Sequence, residues 1–327
     1  MGINDIAWSP DSAYLATASD DSYIGLWDVA AQRPIRILRG HTNYVMCLSF
    51  SPKGNLLVSG SFDESVCVWD VRTGACVRQI DAHSEPVTSA AFSPDASVLL
   101  SSSMDGVCRL WDVGSGLCLR TLFLSRPVPV ASAAFTENGT YIVAAYLDGI
   151  LRLWDVKSGK CIKGFTGHVC RRYTAATGVV AQFFADSSPA AAAAPTPGAG
   201  IAAGAGDEAK TDSAGAAMSD DAAPAFGAPA ASASATAASV CVRPLLLSTS
   251  EDGSLCAWDL RSRVMVRRVQ AHRDPLLALG VHPDRVRFAT GAMGQDTVVR
   301  VWTSATAAPS GAGAAPGVGA SVGASVA

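Results

Sequence analysis

A chain of 327 residues with a formal net charge of −3 carries no electrostatic footprint for nucleic acid and no polybasic patch for a membrane surface. Its 49% hydrophobic content is swollen by Ala-rich stretches that need not fold, and no run is long and apolar enough to span a bilayer. Residues 1–5 lack the basic-then-apolar pattern of a signal peptide, and Ile6 stands where a myristoylation motif wants Ser or Thr, so a soluble intracellular protein is expected.

In chain order, residues 3–10, 14–19 and 23–29 read as three strands, with Asp20 and Asp21 at the turn between the last two. Residues 34–38 lead on to Gly40-His41. The second and third units are the cleanest. Their first strands end in Phe50-Ser51-Pro52 and Phe92-Ser93-Pro94, where proline cannot extend a paired strand and forces a turn. Val66, Val68 and the ring of Trp69 mark residues 65–70 as a largely buried strand. A fourth unit, 128–156, keeps Phe135, Asp148 and Trp154, but Ser125-Arg126-Pro127 replaces the Gly-His pair, which returns at Gly167-His168.

The pattern then breaks. Residues 185–238 are Ala, Pro, Gly and Ser with a few acids, too poor in large apolar side chains to offset their ordering entropy, and are expected to be disordered. Residues 178–184 read as the first strand of a fifth unit and 245–250 as its second. The insertion therefore occupies a hairpin connection, which lengthens cheaply because closure entropy grows only with the logarithm of length. A sixth unit runs from His272 to Trp302. The resulting organisation is 1–184 for repeats one to four and the start of five, 185–240 for the insert, 241–303 for the remaining repeats, and 304–327 for a low-complexity tail.

One frame runs through all six units. An Asp stands six residues before a Trp at Asp21/Trp27, Asp63/Trp69, Asp105/Trp111, Asp148/Trp154, Asp252/Trp258 and Asp296/Trp302. A period of about 42 residues closing on Trp-Asp is the signature of a WD40 β-propeller, so an all-β propeller with six visible repeats is expected. His41, His83, His168 and His272 open their repeats and are expected to bond into networks with the turn Asp and the strand Trp. Thus His41, Asp63 and Trp69, and likewise His83, Asp105 and Trp111, read as structural frame rather than as metal ligands or acid–base groups. His282 reads as a turn residue. The nine cysteines form no C-x-x-C pair and are expected to be reduced, most of them filling buried strand positions. No G-x-S-x-G, H-E-x-x-H, P-loop or Rossmann glycine pattern occurs, so no catalytic residue, metal or cofactor is expected and the chain reads as a non-enzyme.

The frame leaves certain positions free. Immediately before the turn Asp residues stand Asp20, Phe62, Met104, Leu147, Glu251 and Gln295, and the first strands begin around Asn4, Tyr44, Met46, Thr88 and Ala131. In a propeller these positions ring the mouth of the central channel. Aromatic, thioether and small hydroxyl groups with a carboxylate suit an apolar peptide anchor or a guanidinium.

Several such non-frame stretches, Asn43-Tyr44-Val45, 58–65, 82–87, 105–109, 141–145 and 156–161, closely resemble one WD40 family. It is the WD-repeat adaptor subunit of trithorax/COMPASS-type complexes, which methylate a lysine near the start of the histone H3 tail. The likeness covers about residues 2–302 outside the insert. It implies seven blades, of which the first has no counterpart among the six repeats seen here, and a nuclear scaffold without catalytic activity or cofactor. It implies as partners a SET-domain methyltransferase subunit, other core subunits and the histone H3 tail, with no direct nucleic-acid or membrane binding. It further implies a channel that grips an arginine between two aromatic rings, lined here by Asn4, Asp20, Tyr44, Met46, Phe62, Pro86, Thr88, Met104, Ala131 and Tyr173. Asp20, Tyr44, Phe62 and Pro86 match the family, whereas Asn4, Thr88 and Ala131 replace serines, Met104 a tyrosine and Met46 one sandwiching phenylalanine. On the opposite face a partner groove is implied at Asn138, Tyr141 and Leu153, with Arg261 in place of a glutamine. The alternative reading is a substrate receptor of a ubiquitin ligase or a general signalling scaffold; no F-box-like docking segment is visible.

Overall fold

The computed structural model describes residues 2–170, 176–185, 240–282 and 287–303, with the backbone alone at 179–185 and 240–244. Among the described residues there are 23 strands and no helix. They form six antiparallel sheets, each a meander in which sequence neighbours pair.

Blade one holds β1 (Ile3–Trp8), β2 (Tyr14–Ser19), β3 (Tyr23–Asp28) and β4 (Arg33–Arg39). Blade two holds β5 (Val45–Phe50), β6 (Leu56–Ser61), β7 (Ser65–Asp70) and β8 (Cys76–Asp81). Blade three holds β9 (Val87–Phe92), β10 (Val98–Ser103), β11 (Cys108–Asp112) and β12 (Cys118–Leu122). Blade four holds β13 (Val130–Phe135), β14 (Tyr141–Tyr146), β15 (Ile150–Asp155) and β16 (Cys161–Thr166). Blade five holds β17 (Thr177–Ala185), β18 (Val240–Thr249), β19 (Ser254–Asp259) and β20 (Met265–Gln270), so residues 186–239 connect its first two strands. Blade six shows three strands, β21 (Leu276–Val281), β22 (Arg287–Ala292) and β23 (Arg300–Thr303).

The repeat is visible in the register as well as in the sequence. In blade two Val58 faces Val68 and Leu57 faces Trp69, and the first strand breaks register between Val45 and Cys47. The same break recurs at Ile3/Asp5, Val130/Ser132 and Leu276/Ala278. Such bulges bend and twist each innermost strand in the same way.

Both faces of an interior blade are apolar, because each is covered by a neighbour. Five cores follow, one per junction. Trp69, Leu48 and Leu57 pack on Ile24, Leu26 and Leu38 between blades one and two. Trp111, Phe92 and Leu99 pack on Val58, Val66 and Val68 between two and three. Trp154 and Ile142 lie against Leu100 and Leu110 between three and four, Trp258 and Leu246 against Leu151 and Phe165 between four and five, and Trp302 and Phe288 against Leu245 and Leu255 between five and six. The Gly-His lead-in has a steric reason: a Cβ on Gly40 would sit 2.8 Å from Cη2 of Trp69.

Candidate interaction sites

Three of the four predicted histidine networks form. In blade two His41 Nδ1 faces Asp63 Oδ2 at 3.1 Å, Ser59 Oγ is 2.7 Å from His41 Nε2, and Trp69 Nε1 donates to Ser59 Oγ at 2.8 Å. A carboxylate on Nδ1 requires a proton there, so the Ser59 hydroxyl donates to Nε2 and accepts from the indole, and every polar hydrogen is used. Blade three repeats this with His83, Asp105, Ser101 and Trp111, and blade six with His272, Asp296, Thr290 and Trp302. Burial raises the Asp63 carboxyl, but hydrogen bonds from His41, Ser65 and Thr42 overcome it and hold the group well below the ordinary carboxylate range. The balance is the same at Asp105, where burial is opposed by His83.

His168 corrects the expectation. Both its ring nitrogens are buried without a hydrogen-bond partner among the described residues, and burial lowers its pKa against the pull of Asp148 and Asp252. Its turn aspartate is held elsewhere: Asp252 accepts from Ser254 and pairs with Arg268, a cation reaching back from β20. Trp258 Nε1 donates instead to the Thr166 carbonyl at 3.3 Å. Blade four departs too, with Ala144 in place of the network serine, Trp154 Nε1 without a hydrogen-bond partner among the described residues and Asp148 paired with Arg152.

The cysteine expectation holds for five of the eight described cysteines, all of them free thiols, and fails for three. Cys47, Cys67, Cys108, Cys170 and Cys256 are buried, but Cys76, Cys118 and Cys161 are exposed at the start of the outermost strands. A fourth strand has only one neighbour and meets solvent on its outer edge, so an alternating pattern there does not report burial.

At the positions expected to form a channel mouth, the structure joins residues in pairs, blade by blade. Phe62 N donates to Tyr44 O at 2.8 Å, Met104 N to Pro86 O at 3.1 Å and Asp20 N to Gly2 O at 3.1 Å. In blade six this bond is made by Met293 to Pro275 rather than by Gln295, which corrects that assignment. The Tyr44 and Phe62 rings meet edge to face at 6.2 Å and both are exposed. Asn4 Nδ2 bridges Asp20 Oδ1 at 2.9 Å and the Val45 carbonyl at 3.0 Å, linking the Asp20 carboxylate of blade one to the start of β5. Thr88 Oγ1 lies 2.9 Å from Ser102 Oγ, and Met46, like Met104, is half-buried. Ala131 does not line an opening: it is buried in the core between blades four and five. Tyr173 lies outside the described residues.

The second predicted site is a pocket of about 340 Å³ at the junction of blades four and five. Asn138, Tyr141, Leu153 and Arg261 all line it. Tyr141 opens β14 and Asn138 sits in the preceding turn, where its Oδ1 accepts from Thr136 Oγ1 at 2.8 Å and Thr140 N at 3.1 Å. Ile162 and Leu260 complete the apolar floor, and Lys163 spans the junction by donating to the carbonyls of Leu260 at 2.7 Å and Arg261 at 3.1 Å. By strand direction the pocket lies at the opposite end of blade four from the Asp148 turn.

That lysine belongs to a series that the sequence reading missed. Arg36 Nη1 donates to Thr73 O at 2.8 Å, Arg78 Nη1 to Ser115 O at 2.7 Å and Arg120 Nη1 to Ser158 O at 3.2 Å. Blades one to four thus each use a cation on the fourth strand to cap the Trp-Asp turn of the next. The signal was available, since every one of these cations stands nine residues after its frame Trp. No group of His, Cys, Asp and Glu among the described residues is arranged to hold a metal ion.

Repeated four-stranded meanders joined by Trp-centred cores and His–Ser–Trp–Asp networks define a β-propeller of WD repeats. The chain belongs to this family: residues 2–183, more than half of it, match the model described as the IFT122 first beta-propeller, and residues 263–303 match the WD domain, G-beta repeat. It is similar to the mouse (Mus musculus) guanine nucleotide-binding protein subunit beta-like protein 1, 32% identical over 62 residues that cover 19% of this chain and 18% of that protein. It is also similar to Protein groucho of Drosophila melanogaster, 38% identical over 55 residues, or 17% of this chain and 7% of that protein. The chain therefore spans less than a fifth of either of these curated relatives.

Proposed function

We propose that the protein is a non-enzymatic adaptor that holds a partner segment in the pocket between blades four and five. The observation that carries this reading is the convergence of Tyr141, Leu153, Ile162 and Leu260 on one concavity, edged by Asn138, Lys163 and Arg261. Apolar walls with a few polar groups at the rim suit an extended peptide with an aliphatic anchor and a neighbouring carboxylate. The channel mouth is the second contact, where Tyr44, Phe62 and Asp20 offer rings and a carboxylate to an arginine side chain. With the resemblance above, these two sites support a scaffold role in a nuclear histone H3 lysine methyltransferase complex. The partners would be its SET-domain subunit, another core subunit and the histone tail. The match to an IFT122-type propeller favours a second reading, a scaffold in an assembly outside chromatin.

Affinity purification decides between them. Recovery of SET-domain and companion core subunits, lost on Tyr141→Ala or Arg261→Glu with an unchanged melting temperature, is the expected result. Recovery of cullin-linked adaptors, or of another assembly outside chromatin, in their place would overturn the chromatin assignment. Capture unaffected by Tyr141→Ala would remove the pocket from the account.

A further inference from the structure

The turn that carries Asn138 to the rim of the pocket recurs in blades one, three and four. In blade one Asp11 Oδ1 accepts from Ser9 Oγ at 2.5 Å and from Ala13 N at 3.1 Å. In blade three Asp95 Oδ1 accepts from Ser93 Oγ at 2.5 Å and from Ser97 N at 3.1 Å. In blade four the same two bonds run from Thr136 Oγ1 and Thr140 N to Asn138 Oδ1. The residue that follows is left-handed each time: Ser12 (φ 59°), Ala96 (φ 62°) and Gly139 (φ 64°). The shared bonds need one side-chain oxygen as acceptor, which an amide and a carboxylate both supply, so the turn accepts either.

What sets blade four apart is the pair Asn138-Gly139. Of the four asparagines in the chain, Asn4, Asn43, Asn55 and Asn138, only Asn138 precedes a glycine. Glycine brings its backbone nitrogen to the neighbouring side-chain amide with no Cβ in the way. Asn138 is exposed, so water reaches it. Attack of Gly139 N on Asn138 Cγ closes a cyclic imide. The Cγ–Nδ2 bond breaks, and Nδ2 leaves as ammonia with the proton from Gly139 N. Water then opens the imide at one carbonyl to give aspartate, or at the other to give isoaspartate. Water is consumed and ammonia released in equal amounts, with no change of oxidation state.

The consequence falls on the pocket. Its lining holds Glu137, Lys163 and Arg261, a formal charge of +1, which a carboxylate at position 138 brings to zero. Asp95 shows the state of that carboxylate: the hydroxyls of Ser93 and Ser97 and the Ser97 amide hold it at about 2, so it is ionised at neutral pH. The folded turn restrains the reaction. Gly139 N donates to Thr136 O at 2.9 Å, and Thr136 N donates to Tyr141 O at 2.9 Å, so the attacking nitrogen is released only when the turn opens.

We propose that Asn138-Gly139 is a self-modifying site, at which loss of ammonia changes the pocket rim from amide to carboxylate and loosens its hold on a partner segment that itself brings a carboxylate. Opening of the 136–141 turn sets the pace. The effect on the partner rests on the pocket reading above, and the conversion itself does not.

The test holds the full chain for weeks in warm, mildly alkaline buffer and follows each asparagine by peptide mass spectrometry. Deamidation should accumulate at Asn138 well ahead of Asn43 and Asn55, and should run faster in urea than in the folded chain. It should slow several-fold in Gly139→Ala, since Ala96 shows that the turn accepts alanine at that place. Asn138→Asp should melt with the natural chain and capture several-fold less of the SET-domain and companion core subunits than fresh natural chain does. No conversion at Asn138 would overturn the proposal, and so would equal rates in the folded and unfolded chain. An Asn138→Asp chain that melts well below the natural one would overturn the interchangeability of amide and carboxylate, and equal capture would overturn the effect on the pocket. Conversion at Asn138 with capture by neither chain would uphold the site and remove the partner reading instead.

Discussion

Replacing Ser59 by Ala removes one oxygen and disconnects two buried groups. Trp69 Nε1–H loses its acceptor at 2.8 Å, and His41 Nε2 loses its donor at 2.7 Å, with both rings closed off from solvent. Leaving a buried polar group unsatisfied costs about 1–3 kcal/mol, so the two losses together come to about 2–6 kcal/mol. For a chain of this size that corresponds to a fall in melting temperature on the order of 10 °C. Urea titration at pH 7, followed by tryptophan fluorescence, gives the midpoint. Ser84→Ala, at an exposed position, serves as the reference for a harmless loss of hydroxyl. A Ser59→Ala midpoint equal to that of Ser84→Ala would refute the reasoning, because it would mean that the network is geometry without energy.

Three further outcomes follow from other contacts. Glu64 holds φ 70° at the turn position where Gly106, Gly149 and Gly253 stand in later blades, so Glu64→Gly should raise stability by about 0.5–1 kcal/mol in the same titration. Arg78→Ala and Gly116→Ala each destabilise, the second because its Cβ meets the arginine stem; the double variant should cost less than the sum, and strict additivity would deny the contact. Asp5 is pushed up to about 6, first by burial and against hydrogen bonds from Leu48 N and Ile6 N. A raised carboxyl binds its proton more tightly folded than unfolded, so its contribution is present below the unfolded value of 3.8 and is lost as pH rises through about 6. Stability of the natural chain relative to Asp5→Asn should therefore decline across that window, and a flat difference would contradict the assignment.

Spacing made the frame legible before any coordinates, since Asp and Trp positions must recur wherever a turn and a blade junction recur. The groove residues Asn138, Tyr141, Leu153 and Arg261 came from the family resemblance rather than from spacing, and the structure gathers all four around one pocket. Competition between partners was not legible. His168 has the same place in its repeat as His41, and its isolation comes from Arg268, which takes Asp252 from the neighbouring strand. Ser65 looked free of the frame, yet its hydroxyl lies 2.6 Å from Asp63 Oδ1 and 3.2 Å from His41 Nδ1, inside the network. Ala131 shows the converse. A residue that starts a first strand was assigned to the channel mouth, but the register break beside it turns the side chain into the core. Pattern gives the address of a residue in its repeat; which neighbour claims a donor depends on side chains one strand or one blade away.

The cations on the fourth strands give the array a direction. Blades one to four each hold the turn of their successor, through Arg36, Arg78, Arg120 and Lys163 in turn. Through these four cations, support is handed along the chain from each blade to the next. Local opening of an outer strand therefore frees the turn of the blade downstream and leaves the upstream turn fastened. Fraying in this propeller has a polarity, and protection of the turn amides against exchange should fall away in chain order once an early blade is loosened.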